Sequence, residues 1–183
     1  MISSLAHIDS YAKIGNNVRI DPFAVIDADV SFGDDCHIMS HAVILEGTVI
    51  GKGCRIFPGA TVGAIPQDLK FAGEKTIVEV GDNTTIRECV TVNRGTKDKW
   101  KTVIGNNCLL MAYSHVAHDC IIGNNVILAN YVQLAGHVEV GDYAILGGVA
   151  AAIQFARIGV HNYIGGLTEK PKTVPHFIRA GRS

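Results

Sequence analysis

Charge is scarce in this chain and it cancels. Only 18% of the 183 residues are charged, 16 basic against 17 acidic, for a formal net charge of −1. A balance of that kind excludes a chain-wide electrostatic pull toward nucleic acid or a membrane surface, so any charged partner must be recognised locally. One local excess exists. From residue 151 onward Arg157, Lys170, Lys172, Arg179 and Arg182 stand against Glu169 alone, which makes this end net +4 and leaves about −5 for residues 1–150. Two readings stay open for it, a docking site for an acidic partner and a solvated tail. Long apolar runs are missing as well. The longest, from Tyr143 to Ile153, is broken by two glycines and falls short of the roughly 20 residues of a membrane helix. The first residues, Met1-Ile2-Ser3-Ser4-Leu5-Ala6-His7, lack the charged segment and apolar stretch of a signal peptide, so the expected location is the cytoplasm. The five cysteines include no CxxC pair, which removes the usual redox and zinc-ribbon motifs. At 48% hydrophobic, the chain still has ample material for one buried core.

What is there instead is a ladder with a period of six. Ile2, Ile8, Ile14, Ile20, Ile26, Phe32, Ile38, Ile44, Ile50, Ile56 and Val62 begin it, and Ile104, Leu110, Val116, Ile122, Leu128, Leu134, Val140, Leu146, Ala152, Ile158 and Ile164 continue it. A helix repeats near 3.6 residues and a simple strand near 2, so a sustained six requires a unit of one short strand plus one turn. Between the two runs the phase survives. Asp68 and Glu74 fall on rung positions, Val80, Ile86 and Val92 restore the pattern, Asp98 breaks it, and Ile104 resumes. Both breaks therefore read as loops that leave the scaffold and return, near 64–76 and 97–101, and such loops are where binding groups sit.

The residue four past each rung is small, and four of the five cysteines (Cys36, Cys54, Cys108, Cys120) occupy that slot, which marks them as buried packing residues rather than disulfide or metal ligands. Ile14-Gly15-Asn16-Asn17, Ile104-Gly105-Asn106-Asn107 and Ile122-Gly123-Asn124-Asn125 supply residues that tolerate positive φ at corners.

These hexads resemble the hexapeptide-repeat acyltransferases. The resemblance implies an all-β fold, a left-handed parallel β-helix over residues 1–169 with three hexads per triangular coil, followed by a tail at 170–183. The handedness is what the family implies, since it runs against the usual right-handed crossover rule. The family resemblance also implies a homotrimer with sites between neighbouring prisms, and a helical domain after the prism that this stretch, ending at Ser183, does not include. Activity is then expected to be impaired unless those contacts come from elsewhere. Within the superfamily, Gln67-Asp68-Leu69-Lys70-Phe71-Ala72-Gly73-Glu74, Ile86-Arg87-Glu88, Arg94-Gly95-Thr96, His115-Val116-Ala117-His118-Asp119-Cys120, Leu134-Ala135-Gly136-His137 and Gln154-Phe155 are similar to the acyltransferases that move a 3-hydroxyacyl chain from acyl carrier protein to UDP-N-acetylglucosamine at the start of lipid A synthesis. Asn93 and Ile153 stand where some members have histidine.

Acyl transfer to a sugar hydroxyl needs a base, and neutral imidazole suits pH 7. His118 is the candidate. His137 lies nineteen residues on, one coil plus one residue, so the two share a corner in adjacent coils. Asp119 is placed to hold the His118 tautomer. The resemblance assigns Gly136 an oxyanion-binding N–H and gives His115 and His137 to the sugar nucleotide. It adds Gln67, Asp68, Lys70 and Gln154 as substrate-binding residues, and Gly166 with Tyr163 as the acyl-chain ruler. Neither cofactor nor metal is expected. Two alternatives stay in view. A γ-class carbonic anhydrase would use His115, His118 and His137 as zinc ligands. A non-catalytic prism would be a spacer or interaction module. The sister N-acyltransferase begins with a uridine-binding domain, whereas this chain starts directly in hexads. His7, His37, His41, His161 and His176 read as solvated.

Overall fold

The computed structural model describes residues 1–170 and 173–181, and Lys172 and Arg182 of the basic excess lie outside them. Each hexad forms one short strand and one turn. In a strand such as His115–Val116 the rung points inward and the residue before it points out. Val116 pairs with Val92 on one side and Leu134 on the other, so neighbours in a sheet come from successive coils rather than successive strands. Among the described residues this builds three parallel sheets of nine, eight and nine strands. The fold is an all-β, left-handed parallel β-helix, a three-faced prism. Its first face starts at His7–Ile8, its second at Lys13–Ile14 and its third at Arg19–Ile20. No helix among the described residues is long and apolar enough to cross a membrane.

Two-residue strands are well below the usual five or six and carry too few hydrogen bonds to be stable singly. Stability comes from the column of rungs instead. The twelve largest fully buried side chains, from Ile20 through Leu146, are all rungs. Burying each contributes about 1.5–3 kcal/mol.

The inward slot four past the rung holds Cys36, Cys54, Thr84 and Cys108 in one column along a single edge. Their hydrogens satisfy carbonyls of the next coil: Cys36 Sγ donates to Gly51 O (3.0 Å), Cys54 to Gly81 O (3.1 Å), Thr84 Oγ1 to Gly105 O (2.8 Å) and Cys108 to Gly123 O (3.1 Å). Cys120 does the same at another edge, to Ala135 O (3.2 Å). Burial pushes the Cys108 thiol up, and that of Cys120 up to about 12. Of the five cysteines only Cys89 is outside the buried class. Titration of the native protein with a thiol reagent is therefore expected to give at most one fast-reacting cysteine, rising to all five after unfolding. Two or more fast thiols in the folded protein would contradict this packing.

The excursions keep the hexad count. Val62 pairs with Val92 and Val92 with Val116, which leaves two extra hexads before the first pairing and one before the second. The first excursion spans residues 65–76, between the strands Thr61–Ala64 and Ile77–Val80. The second spans 94–100 rather than 97–101, because the strand Thr91–Asn93 ends at Asn93 and Lys101 is already paired with Ile77 in the next strand. The end of the prism also differs. Hexad counting stops it at residue 169, yet Ile158 bridges Val174 and Tyr163–Ile164 pairs with Arg179–Ala180. Those partners come two residues early for a full coil, so the six-residue phase misses them. Asn162 takes up the irregularity, accepting from Ile178 N (2.7 Å) and donating to Val174 O (3.3 Å).

Candidate active site

Both excursions leave from first-face strands, Thr61–Ala64 and Thr91–Asn93. The next two coils of that face carry His115–Val116 and Gln133–Leu134. The corner just after them holds His118, Asp119, Gly136 and His137, so the hexad register alone sets the two loops over the two histidines.

The His118 ring is buried, tucked beneath Gly136 of the next coil. A Cβ on Gly136 would come 2.5 Å from His118 Cε1 and 2.6 Å from Nε2, so the missing side chain is the space that the imidazole occupies. His118 Nδ1 lies 2.8 Å from Asp119 Oδ2. An ionised carboxylate only accepts, so Nδ1 carries the proton and Nε2 keeps its lone pair. The nearest carboxylate to Nε2 is Asp68 Oδ2 of the first excursion, 3.9 Å away.

Asp119 is fully buried, at a corner φ of 59°. Burial by itself would raise its carboxyl, but four donors outweigh it and hold the group below the usual carboxylate range: Thr96 Oγ1 (2.6 Å), His118 Nδ1 (2.8 Å), Thr96 N (2.9 Å) and Lys99 N (3.2 Å). His137 sits edge-on to His118, with centroids 5.1 Å apart at 89°, and lies flat under Phe155 at 4.5 Å. Asp98 Oδ2 is 3.2 Å from His137 Nδ1 but off the line of a hydrogen bond, which leaves that buried nitrogen without a partner. The peptide N–H of Gly136 is also open: among the described residues it makes no hydrogen bond. At the matching place on another corner, Asn106 N is capped by Asn124 Oδ1 (2.9 Å) and Asn124 N by Asp142 Oδ1 (2.8 Å). Here the residue in the capping place is Gln154, which provides no such bond.

A cleft of about 250 Å³ opens at this corner, lined by Asp68, Lys70, Phe71, Thr96, Asp98 and His137 among others. A larger cleft of about 440 Å³ on the second face, under residues 173–176, has its titratable side chains already engaged: Glu139 pairs with Arg157 (3.3 Å), Asp142 accepts from Asn124 N (2.8 Å) and His176 Nδ1 accepts from Val160 N (3.0 Å). The geometry, not the volume, makes the first the candidate site.

The other sequence candidates fall as follows. Gln67 and Gln154 are exposed and do not line the cleft of their own chain. His115 points out of the first face, its Nδ1 2.7 Å from Thr91 Oγ1. Gly166 and Tyr163 belong to the third face and its corner, away from His118 of the same chain. His118, Asp119 and His137 bring ligand-type atoms within 4.8 Å of one another, a metal-like grouping, but its shortest contact is already the hydrogen bond between His118 and Asp119. His115, which a three-histidine zinc site would need, is not in the group. The sequence alone does not single out Thr96 or Phe71. Both lie in excursions, where the hexad period says nothing about direction; the only signal was that each stands in a family-like motif. Of the outward histidines, His37 is half-buried with Nε2 2.7 Å from Asp21, and His161 stacks between Tyr143 and Phe177.

Burial, with a smaller contribution from nearby His118, lowers the pKa of His115 below its ordinary 6.5. Below that pH the unfolded chain binds a proton that the folded chain resists, so the stability this histidine contributes is present above about pH 6.5 and is lost as pH falls. Replacing His115 by Gln is expected to flatten the fall in melting temperature between about pH 7.5 and 5.5. An unchanged slope would remove His115 as a source of acid sensitivity.

The chain matches the family model described as bacterial transferase hexapeptide (six repeats) over residues 29–64 and 101–135. It is 53% identical over 120 residues to the acyl-[acyl-carrier-protein]–UDP-N-acetylglucosamine O-acyltransferase of Chlorobaculum parvum, covering 66% of this chain and 46% of that protein. The protein of that name from Chlamydia caviae is 49% identical over 119 residues, covering 65% and 43%. The match thus spans less than half the length of these curated relatives. Among solved structures, LpxA from Acinetobacter baumannii superposes with a TM-score of 0.98 at 42% identity, covering all of this chain and 71% of that one. LpxA from Bacteroides fragilis gives 0.96 at 50% identity, covering 97% and 70%.

Proposed function

As a member of the LpxA family of hexapeptide-repeat acyltransferases, this chain is one that we propose transfers a 3-hydroxyacyl group from acyl carrier protein to the 3-hydroxyl of UDP-N-acetylglucosamine, the first step of lipid A biosynthesis. One observation carries the reading: a buried His118–Asp119 pair whose free Nε2 lies 3.9 Å from Asp68 of the cleft lining, next to an uncapped N–H at Gly136.

The chemistry follows from those atoms. His118 Nε2 takes the proton of the sugar hydroxyl as its oxygen attacks the thioester carbonyl. Asp119 keeps Nδ1 protonated and favours the imidazolium that forms. The carbonyl oxygen gains charge, and the Gly136 N–H is available to it. Collapse breaks the carbon–sulfur bond, and the thiolate leaves with the proton held on Nε2. No covalent enzyme intermediate is needed. His137, Asp68 and Lys70 line the cleft as sugar-nucleotide contacts, with Lys70 suited to phosphate as a mobile point charge.

His115, Gln67 and Gln154 complete the site across the boundary with a neighbouring copy. A homotrimer in the cytoplasm fits the separation of Gly166 and Tyr163 from His118 of the same chain, since an acyl tail can reach them only along a groove between two prisms. Each buried methylene contributes about 0.8 kcal/mol, a shallow gradient, so a sharp length limit needs a steric stop. Gly166 leaves the groove open and predicts a preference for long 3-hydroxyacyl chains. A Cβ there meets the backbone oxygen of Gly148 at 3.0 Å, so that carbonyl has to yield by a few tenths of an ångström to admit a side chain. The test is thioester cleavage on carrier proteins of graded acyl length, with and without UDP-N-acetylglucosamine. Cleavage should require the sugar nucleotide and favour long chains, and Gly166→Met should move the optimum shorter at similar maximal rate. Cleavage indifferent to the sugar nucleotide would overturn the reading. An unmoved optimum would shift the ruler to Tyr163.

A further inference from the structure

We propose that Thr96, on the second excursion, is a positioning residue of this site, holding the Asp119 carboxylate in the orientation that keeps His118 Nδ1 bonded and Nε2 turned toward Asp68. The proposal rests on His118 being the base, and goes beyond it by assigning the loop a role.

Asp119 Oδ2 receives two hydrogens, from Thr96 Oγ1 (2.6 Å) and His118 Nδ1 (2.8 Å). Oδ1 receives two more, from the backbone of Thr96 (2.9 Å) and Lys99 (3.2 Å). Three of the four come from one loop. The Thr96 hydroxyl is itself fixed, because its acceptor side is taken by Asp98 N (3.3 Å), which leaves its proton for Asp119. The loop is braced as well. Trp100 N donates to Thr96 O (2.7 Å), Lys99 Nζ reaches Glu139 Oε1 (3.0 Å), and a side chain at Gly95 would run into the Lys101 backbone. Thr96 is buried, so water is a poor substitute for its hydroxyl.

Other charged and titratable groups around His118 are Asp68 from the first loop, His137 from the next coil, His115 on its own strand, and Asp98 and Lys99 of the second loop. Removing the Thr96 hydroxyl changes none of them directly. It takes one donor from Asp119 Oδ2, leaving His118 Nδ1 as the donor to that oxygen while Oδ1 keeps its two backbone bonds. The carboxylate is then less firmly oriented, and the bond it accepts from His118 Nδ1 weakens.

The experiment follows the hydrogen-bonded Nδ1–H proton of His118 by NMR at one fixed pH in the whole chain, for wild type, Thr96→Val and Thr96→Ser, beside kcat and KM. In Thr96→Val that proton is expected to move upfield or to be lost to exchange, because its bond to Asp119 weakens. The same variant should lower kcat roughly 10- to 100-fold with KM for UDP-N-acetylglucosamine near the wild-type value. Thr96→Ser, which keeps the hydroxyl, should restore both. Thr96→Ala takes the place of the valine variant if circular dichroism finds that one unfolded. An Nδ1–H signal that is unchanged on loss of the hydroxyl, or a serine variant that behaves like valine, overturns the proposal. The NMR measurement needs no substrate, so wild type without turnover would sink the acyltransferase reading while leaving the Thr96 question decided by NMR.

Discussion

His118→Ala is expected to lose acyl transfer by about 10²- to 10⁴-fold, the range a positioned general base contributes. The fold should survive. His118 is a corner residue, two past the Val116 rung, and no backbone pairing depends on its side chain. Asp119 would keep its three donors from Thr96 and Lys99, so the substitution does not strand a bare buried charge. The check is thioester-transfer kinetics beside a thermal melt of the same preparation. Turnover close to wild type in a folded variant would remove His118 from the mechanism.

Gly136→Ala should be nearly as damaging for a different reason. One methyl group would overlap the His118 ring at 2.5–2.6 Å. The ring has little room to yield, with Asp119 bonded to Nδ1 and His137 edge-on beside it. Gly136 is not in the left-handed region, so alanine fits its backbone, and the peptide N–H remains. A loss of about 10²-fold would therefore report displacement of the base, since misplacement by an ångström carries a penalty of that size. The melting temperature should move little. Full activity in Gly136→Ala would mean that the imidazole does not lie under this residue during turnover.

How much of this could be read from the sequence depends on whether a residue obeys the period. The rungs do, and their inward faces follow from position alone. The four cysteines in the small slot are legible for the same reason, as is the meeting of His118 and His137 nineteen residues apart. Corner chemistry is only partly legible. Asn17, Asn107 and Asn125 adopt positive φ as their type suggests, but Tyr113, Tyr131 and β-branched Val149 do so as well, at φ near 60°. There the coil imposes the conformation against local preference. The final turn is not legible, because Val174 and Ala180 arrive out of phase. Thr96 is not legible either, because an excursion has no period and its hydroxyl bonds a carboxylate twenty-three residues away. Gln67 and Gln154 belong to motifs that pointed to the site, yet a single chain does not gather them.

The central claim is that this corner acylates a sugar hydroxyl, and product identity tests it most directly. Purified protein should be incubated with UDP-N-acetylglucosamine and a long-chain 3-hydroxyacyl carrier protein, and the nucleotide fraction analysed by mass spectrometry and NMR. The account predicts one new species, the substrate plus one hydroxyacyl group less water, esterified at the sugar 3-oxygen and formed one for one with free carrier thiol. Free 3-hydroxy acid with unmodified UDP-N-acetylglucosamine, or acylation at nitrogen, would contradict it.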